Sequence, residues 1–486
     1  MPTTTPDWVK DAIFYQIFPD RFATSERVTK PTNLEPWDSP PTHRGFKGGD
    51  FVGIQEHLDY LTELGITAIY FNPIFQSAAN HRYHTYDYYE VDPILGGTTA
   101  FRDFLGAAHS HGIRVVLDGV FNHASRGFFQ FNHIMENGKQ SPYLDWFLVN
   151  GFPLRAYDVH SAPNYAAWWN NRELPKLNTD VHAVRAFIMD VAETWLRFGI
   201  DGWRLDVPLE ITTPGFWEEF RQRVKSVNPE AYILAEIWHD AEAWLSGDHF
   251  DATMNYGFNR ACYGFFGGDW LDVSHRPGGF PIERLDGPAF AEAVDHLISL
   301  YDWETTLVQY NLLSSHDEPR FTTMVRGDTR RFRLATLFQM VFPGVPSVYY
   351  GDEIGMEGGP DPDCRRAFPW DERNWDAGLR AEVRRFIALR RDHVALRRGK
   401  YTTLHVGEAT YALARHMPED VVVIAFNVSG GPKSLTLELS EALGSALPPG
   451  SSFTDPWSGA ILPVQSGHLH VDIPALDGRV LVCRRS

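Results

Sequence analysis

Three times in the first half of the chain an amphipathic helical stretch ends at a glycine and runs straight into an apolar strand. Ile54, Leu58, Leu61 and Leu64 precede Gly65 and ITAIYF; Phe101, Phe104, Leu105 and Ala108 precede Gly112 and IRVVLD; Val184, Phe187, Ile188, Val191, Trp195 and Leu196 precede Gly199 and IDGWRLD. Steps of three and four put each apolar set on one helical face, and glycine supplies the left-handed turn that leads out of a helix. Five further apolar runs, AIFYQIF, YILAE, FDATMN, VQYNLLS and PSVYYG, bring the strands to eight. Strands alternating with helices on this scale predict an α/β fold closed as a parallel (β/α)8 barrel. An open doubly wound sheet is the alternative that pattern alone leaves standing.

The rhythm breaks at residues 122–176, which are rich in aromatic residues, Asn and Pro and show no helical period. This stretch reads as a subdomain inserted after the third strand. From residue 399 the pattern changes again, with VVVIAFNV, LTLEL, HLHVDIP and VLVCRR separated by Gly, Pro and Ser, which predicts a C-terminal antiparallel β-sandwich. The expected organisation is a catalytic barrel of residues 1–121 and 177–398, the insertion 122–176, and the sandwich 399–486.

Composition narrows the ligand. With 62 acidic against 44 basic residues, the formal charge of -18 repels nucleic acid and anionic membranes, so neither is an expected partner. Fifteen Trp and nineteen Tyr offer faces that stack on sugars, although most aromatic residues in any protein are core. Cys262, Cys364 and Cys483 are too widely spaced for a disulfide framework or a zinc site. No glycine-rich phosphate loop is present, so neither a nucleotide nor a redox cofactor is expected. MPTTTPDWVKDAIFYQIFPD lacks a basic start followed by an apolar core, and no apolar run approaches about 18 residues. A soluble, cytoplasmic protein is the expectation.

Asp118, Asp206, Glu236 and Asp317 all stand at the C-terminal ends of predicted strands, where barrel enzymes carry their active sites. Cleaving an acetal takes an acid to protonate the departing oxygen and a carboxylate to meet the oxocarbenium-like carbon. Two carboxyl groups in different environments can divide that work. Arg204 lies two residues before Asp206, on the same side of a strand, and its guanidinium is expected to orient Asp206 and hold it ionised.

DGVFNH at 118–123, GWRLD at 202–206, EIWH at 236–239 and SSHDEPR at 314–320 resemble, in order and spacing, the four signature segments of the alpha-amylase superfamily, glycoside hydrolase family 13. GITAIYFNPIF at 65–75 and GVPSVYYGDEIGMEGG at 344–359 resemble its accessory segments. The resemblance covers nearly the whole chain. It implies Asp206 as nucleophile, Glu236 as acid and then base, and Asp317 as the carboxylate that binds ring hydroxyls. The outcome would be retention, with the first two carboxyl groups about 5–5.5 Å apart. It further implies substrate contacts from Tyr83, His123, Arg204, His316 and Arg320, with Asp87 supporting Tyr83 and Asp118 bracing the site through Arg204.

LPKLN at 174–178, EIWH, and GDEIGMEGGPDPDCRRAFPWD are similar to the neopullulanase, cyclomaltodextrinase and maltogenic amylase group. That group implies α-1,4-glucans as substrates, maltose and glucose as main products, and Trp238 as a stacking face on the leaving-group side. The rival activities are an exo-acting α-glucosidase or a glucan transferase. From another class, the rival is a catalytically silent glucan-binding protein, against which the presence of all three carboxylates argues.

Three departures from the group carry expectations. Its members usually have a β-rich N-terminal domain that builds a dimer, whereas this chain begins almost at the first strand. A more open cleft and a monomer, or a dimer of another kind, are therefore expected. Relatives bind calcium through an Asn and Asp cluster after DRF, where this chain has Thr24, Ser25 and Glu26 with Lys and Arg nearby. Hard cations need several oxygen ligands, so that site is expected to be lost or altered although Asp50 remains, and no cofactor is expected to be required. Asn122 either serves the family's other calcium site or is a turn residue. Finally, DVPLE replaces DVANE, placing Pro208 and Leu209 on the cleft floor and weighing against α-1,6 cleavage and efficient transglycosylation.

Overall fold

The computed structural model describes residues 4–447 and 451–484. Eight parallel strands form one sheet: β1 Phe14–Ile17, β2 Ala68–Phe71, β3 Arg114–Gly119, β4 Gly202–Leu205, β5 Tyr232–Ala235, β6 Ala252–Thr253, β7 Tyr310–Leu312 and β8 Val345–Tyr349. Each pairs with its neighbours in the chain, β8 pairs with β1, and a parallel bridge between Met254 and Tyr310 joins β6 to β7. The ring is thereby closed, and the open-sheet alternative falls.

Closure explains why the strands are apolar throughout. Phe14, Tyr70, Val116, Tyr232, Leu234, Tyr310 and Leu312 pack together inside the barrel, while their neighbours Tyr15, Ile69, Val115, Ile233 and Val348 pack in the outer core under the helices. Both faces of each strand are buried, so alternation is invisible in the sequence.

The helix expected over residues 54–64 is two, Phe51–Glu56 and Leu58–Leu64. His57 leaves the helical region, donates from Nδ1 to Gly53 O at 2.8 Å, and lays its ring on Trp370 at 3.6 Å. Gly65 ends the second helix at φ 98° and leads into β2.

Residues 122–176 contain an unexpected helix, Phe129–Asn137. Only Phe131 and Ile134 of it are buried, too few to make a period. Bridges His123–Lys176 and Phe147–Leu177 tie the ends of this segment together beside the barrel.

The C-terminal region is antiparallel. β9 Lys400–Gly407, β10 Thr410–Met417, β11 Asp420–Asn427, β13 Ser452–Thr454, β14 Ile461–Pro463 and β16 Asp477–Arg484 make one sheet in the order β9-β10-β11-β16-β13-β14, and β12 Lys433–Glu438 pairs with β15 His468–Ile473. Leu435, Leu437, Leu469 and Val471 pack against Ala412, Val423 and Leu481 across the two sheets. β9 and β10 were not foreseen, because Thr, His and Arg interrupt their apolar pattern.

Candidate active site

The amides of Asp206 and Glu236 donate to Gly119 O (3.1 Å) and Leu205 O (3.0 Å), extending the barrel ladder one residue beyond β4 and β5. Both side chains are thereby fixed at the mouth of a cleft of ≈ 1060 Å³, which Tyr83, His123, Asp206, Glu236, Trp238, His316 and Asp317 also line.

Arg204 organises this mouth from below. Fully buried, it donates from Nη1 to Asp118 Oδ1 (3.0 Å) and Asp206 Oδ1 (3.1 Å), and its Nη2 forms an ion pair with Glu236 Oε2 at 3.1 Å. One planar cation thus spans three carboxylates, an arrangement that a point charge on a flexible stem would not hold. Glu236 Oε2 also accepts from Val207 N (3.0 Å), and Oε1 from Trp238 Nε1 (3.2 Å). Val207 itself has a left-handed backbone, φ 37°, a conformation costly for a β-branched residue.

Burial raises Asp206 well above the usual carboxylate range, followed by the adjacent Glu236 charge, with Arg204 opposing. The expectation that Arg204 holds Asp206 ionised is corrected, since burial and the Glu236 charge outweigh it; the expected orienting bond is present. Two neighbouring carboxyl groups in a desolvated site resist ionising together. Burial and the Glu236 charge likewise push Asp317 up to about 7.

Asp317 Oδ1 lies 3.2 Å from His316 Nε2 and 3.7 Å from Arg365 Nη2. His316 Nδ1 accepts from Gln16 Nε2 at 2.9 Å, which assigns the ring proton to Nε2, 2.7 Å from the Tyr83 hydroxyl. Tyr83 in turn donates to Asp118 Oδ2 at 2.8 Å, and its ring lies parallel to His316. Burial lowers both His316 and His123, the latter to about 3, so both imidazoles are neutral hydrogen-bonding groups. His123 stacks on Trp168 at 5.3 Å, and its Nε2 has no partner within the protein.

Several residues depart from their expected roles; Arg204, expected to touch substrate, is fully buried and does not line the cleft. Arg320 does not reach the cleft: fully buried, it donates to Asp352 Oδ1 (2.7 Å) and Tyr350 O (2.8 Å). Its amide bonds Gly358 O at the start of the helix Phe321–Met324, turning the side chain beneath the mouth. The arginine beside Asp317 is Arg365, which also donates to His316 O at 2.8 Å. Asp87 accepts from Tyr89 N, and it is Asp118, His316 and Asn72 that hold the Tyr83 hydroxyl. Trp238 stacks on Tyr256 at 3.6 Å, and a Cβ at Gly278 would lie 2.2 Å from its Cε3 and 2.5 Å from Cζ3. Gly278 thus packs closely on the six-membered ring of Trp238, which still lines the cleft.

Of Pro208 and Leu209, only Leu209 lines the cleft. Pro208 is buried, with its carbonyl bonded to Trp217 Nε1. Tyr157, Trp168, Trp169 and Phe280, none of them expected from the sequence, also line the cleft; the adjacent pair WWNN was the available signal.

The residues after DRF do not fit a divalent cation. Lys30 Nζ stands 2.9 Å from Asp50 Oδ2 and donates to Ile94 O at 2.8 Å, so an ammonium already occupies the cation side of that carboxylate. Asp50 otherwise accepts from Ser25 N and caps a helix through Gly53 N. Asn122 is buried with Oδ1 unpartnered and its amide nitrogen 3.3 Å from His123 Nδ1. Among the described residues no three His, Cys, Asp or Glu side chains gather as a metal site, and no helix is long and apolar enough to cross a membrane.

A closed barrel presenting paired carboxylates beneath a sugar-sized cleft defines a glycoside hydrolase. The model of the alpha-amylase catalytic domain matches residues 16–399, and the chain belongs to that family. It is 44% identical to a cyclomaltodextrinase of Geobacillus thermopakistaniensis over 87% of this chain and 70% of that protein. Neopullulanase 2 of Thermoactinomyces vulgaris is 39% identical over 98% of this chain and 78% of that one. Among solved structures, the debranching enzyme of Nostoc punctiforme is 46% identical with a TM-score of 0.90, covering 99% of this chain and 100% of that one.

Proposed function

We propose that the protein hydrolyses α-1,4-glucosidic bonds of maltooligosaccharides, cyclodextrins and starch with retention of configuration, releasing mainly maltose and glucose. The observation that carries this reading is the Arg204 guanidinium joining Asp118, Asp206 and Glu236 at the floor of one cleft. In the first step Asp206 attacks the anomeric carbon while Glu236 gives its proton to the leaving oxygen. Glu236, then ionised, takes a proton from water, which attacks the same carbon and releases Asp206. Asp317, with an unpartnered buried Oδ2, and His123 Nε2 are placed to take ring hydroxyls, and the Tyr83 face bounds the reacting sugar.

The test is proton NMR of the first product formed from maltotriose. The α-anomer supports retention, and the β-anomer refutes it. Asp206→Asn and Glu236→Gln should each abolish turnover; full activity in either would overturn the assignment.

A second reading, cleavage of α-1,6 branch points, is favoured by the whole-length likeness to the Nostoc punctiforme debranching enzyme. It runs against the expectation drawn from DVPLE. Pullulan separates the two: maltotriose as product requires α-1,6 cleavage, whereas panose requires α-1,4 cleavage. Calcium independence and location in the cytoplasm belong to the same proposal.

A further inference from the structure

The inserted segment presents a surface that the hydrolytic chemistry leaves unused. Trp169 is 81% exposed, although an indole left in water forgoes a large burial gain. Its backbone and that of Asn170 are both left-handed, φ 49° and 57°, a conformation that costs free energy for non-glycine residues and clusters at ligand clamps. The result is that Trp169 lies flat on Trp168 at 4.6 Å and 14°, and Trp168 lies on His123 at 5.3 Å and 17°. Three near-parallel rings therefore run from the cleavage-site histidine out along the cleft wall.

Polar groups flank the same wall. Arg126 sits over the Tyr157 ring at 4.3 Å and donates to Glu173 Oε1 at 3.1 Å, and all three line the cleft with both tryptophans. An aromatic face beside a carboxylate and a guanidinium is suited to a pyranose, which presents an apolar C–H face and a rim of hydroxyls.

We propose that Trp169, backed by Trp168 and flanked by the Glu173–Arg126 pair, forms an outer platform that binds a glucosyl ring of a longer α-glucan beyond the ring held at the carboxylates. This rests on the reading of the protein as an α-glucan hydrolase, and it assigns chain-length preference to the inserted segment.

The experiment compares kcat/KM for maltohexaose and maltotriose in wild type, Trp169→Ala and Trp169→Phe. The ratio of the two should fall about tenfold in Trp169→Ala, through KM rather than kcat for maltohexaose, and stay within about threefold of wild type in Trp169→Phe. A ratio unchanged in Trp169→Ala overturns the proposal. Calorimetric titration of maltohexaose into Glu236→Gln protein, with and without Trp169→Ala, reads the platform independently of turnover. About tenfold weaker binding is expected, and equal affinity overturns the proposal even if wild type proves to hydrolyse neither sugar. Should Trp169→Ala lose its fold by circular dichroism, Glu173→Gln takes its place, with weakening of both readouts expected and no change overturning the proposal.

Discussion

Lys30→Met tests whether an ammonium does the structural work of a cation behind the DRF segment. Asp50 is fully buried, and the Lys30 side chain is 15% exposed. The substitution removes one charge-assisted bond to Asp50 and one to Ile94 O. Burial lowers the Lys30 pKa more than Asp50 restores it, so the pair is not strongly stabilising as a pair; the damage lies in stranding the carboxylate. Breaking a buried pair from one side costs about 3–5 kcal/mol. The lower end, about 3 kcal/mol, applies because the amides of Ser25 and Gly53 still bond Asp50. With an unfolding entropy of roughly 2 cal/mol/K per residue over a chain of this length, that is about a 3 °C fall in Tm. Adding Asp50→Asn should recover about half of it, because the stranded charge goes while the helix cap stays. Differential scanning calorimetry with excess EDTA, and with added calcium, is the assay. An unchanged Tm in Lys30→Met, or a wild-type Tm lowered by EDTA, would refute the reasoning.

Three further outcomes follow from the site. Arg204→Lys should reduce kcat/KM at least about a hundredfold, since an ammonium cannot span Asp118, Asp206 and Glu236 together; near-wild-type kinetics would show that the bridge is dispensable. Burial, then the Asp317 charge, raises Glu318 to about 8 from 4.5. Its neutral form is therefore favoured by folding, and this stabilisation is complete below about pH 4.5 and lost as pH rises through about 8. Glu318→Gln, which cannot ionise, should gain Tm over wild type progressively from pH 5 to 9; a gap constant across that range would exclude the mechanism. Gly278→Ala combines φ +58° with a Cβ 2.2 Å from Trp238, so the loop must lift from the indole. A changed KM for cyclodextrin with little change in Tm is expected, whereas wild-type KM would show that the loop does not restrict access to Trp238.

The eight strands, their order and the carboxylates at their ends were legible along the chain. Apolar runs, glycine stops and three-and-four spacing are local consequences of backbone hydrogen bonding and side-chain geometry. Motif resemblance then supplied roles for Asp206, Glu236 and Asp317. What local pattern does not carry is the choice of partner between remote side chains. Nothing near Arg320 distinguishes it from Arg365, yet the first is buried on Asp352 and Tyr350 O while the second faces Asp317. Asp87 was the expected support for Tyr83, but the closed sheet sets Asp118 within 2.8 Å of its hydroxyl. His57 interrupts a well-patterned helix at the point where its ring meets Trp370, a contact remote in sequence. Lys30 was visible as a nearby charge, but only the folded chain brings Ile94 O and Asp50 to its ammonium. The sequence by itself determined the barrel and the chemistry at its mouth, through interactions that span a few residues. The tertiary structure alone decided which charges meet, because those contacts form between segments distant in the chain and exist only once the barrel has closed.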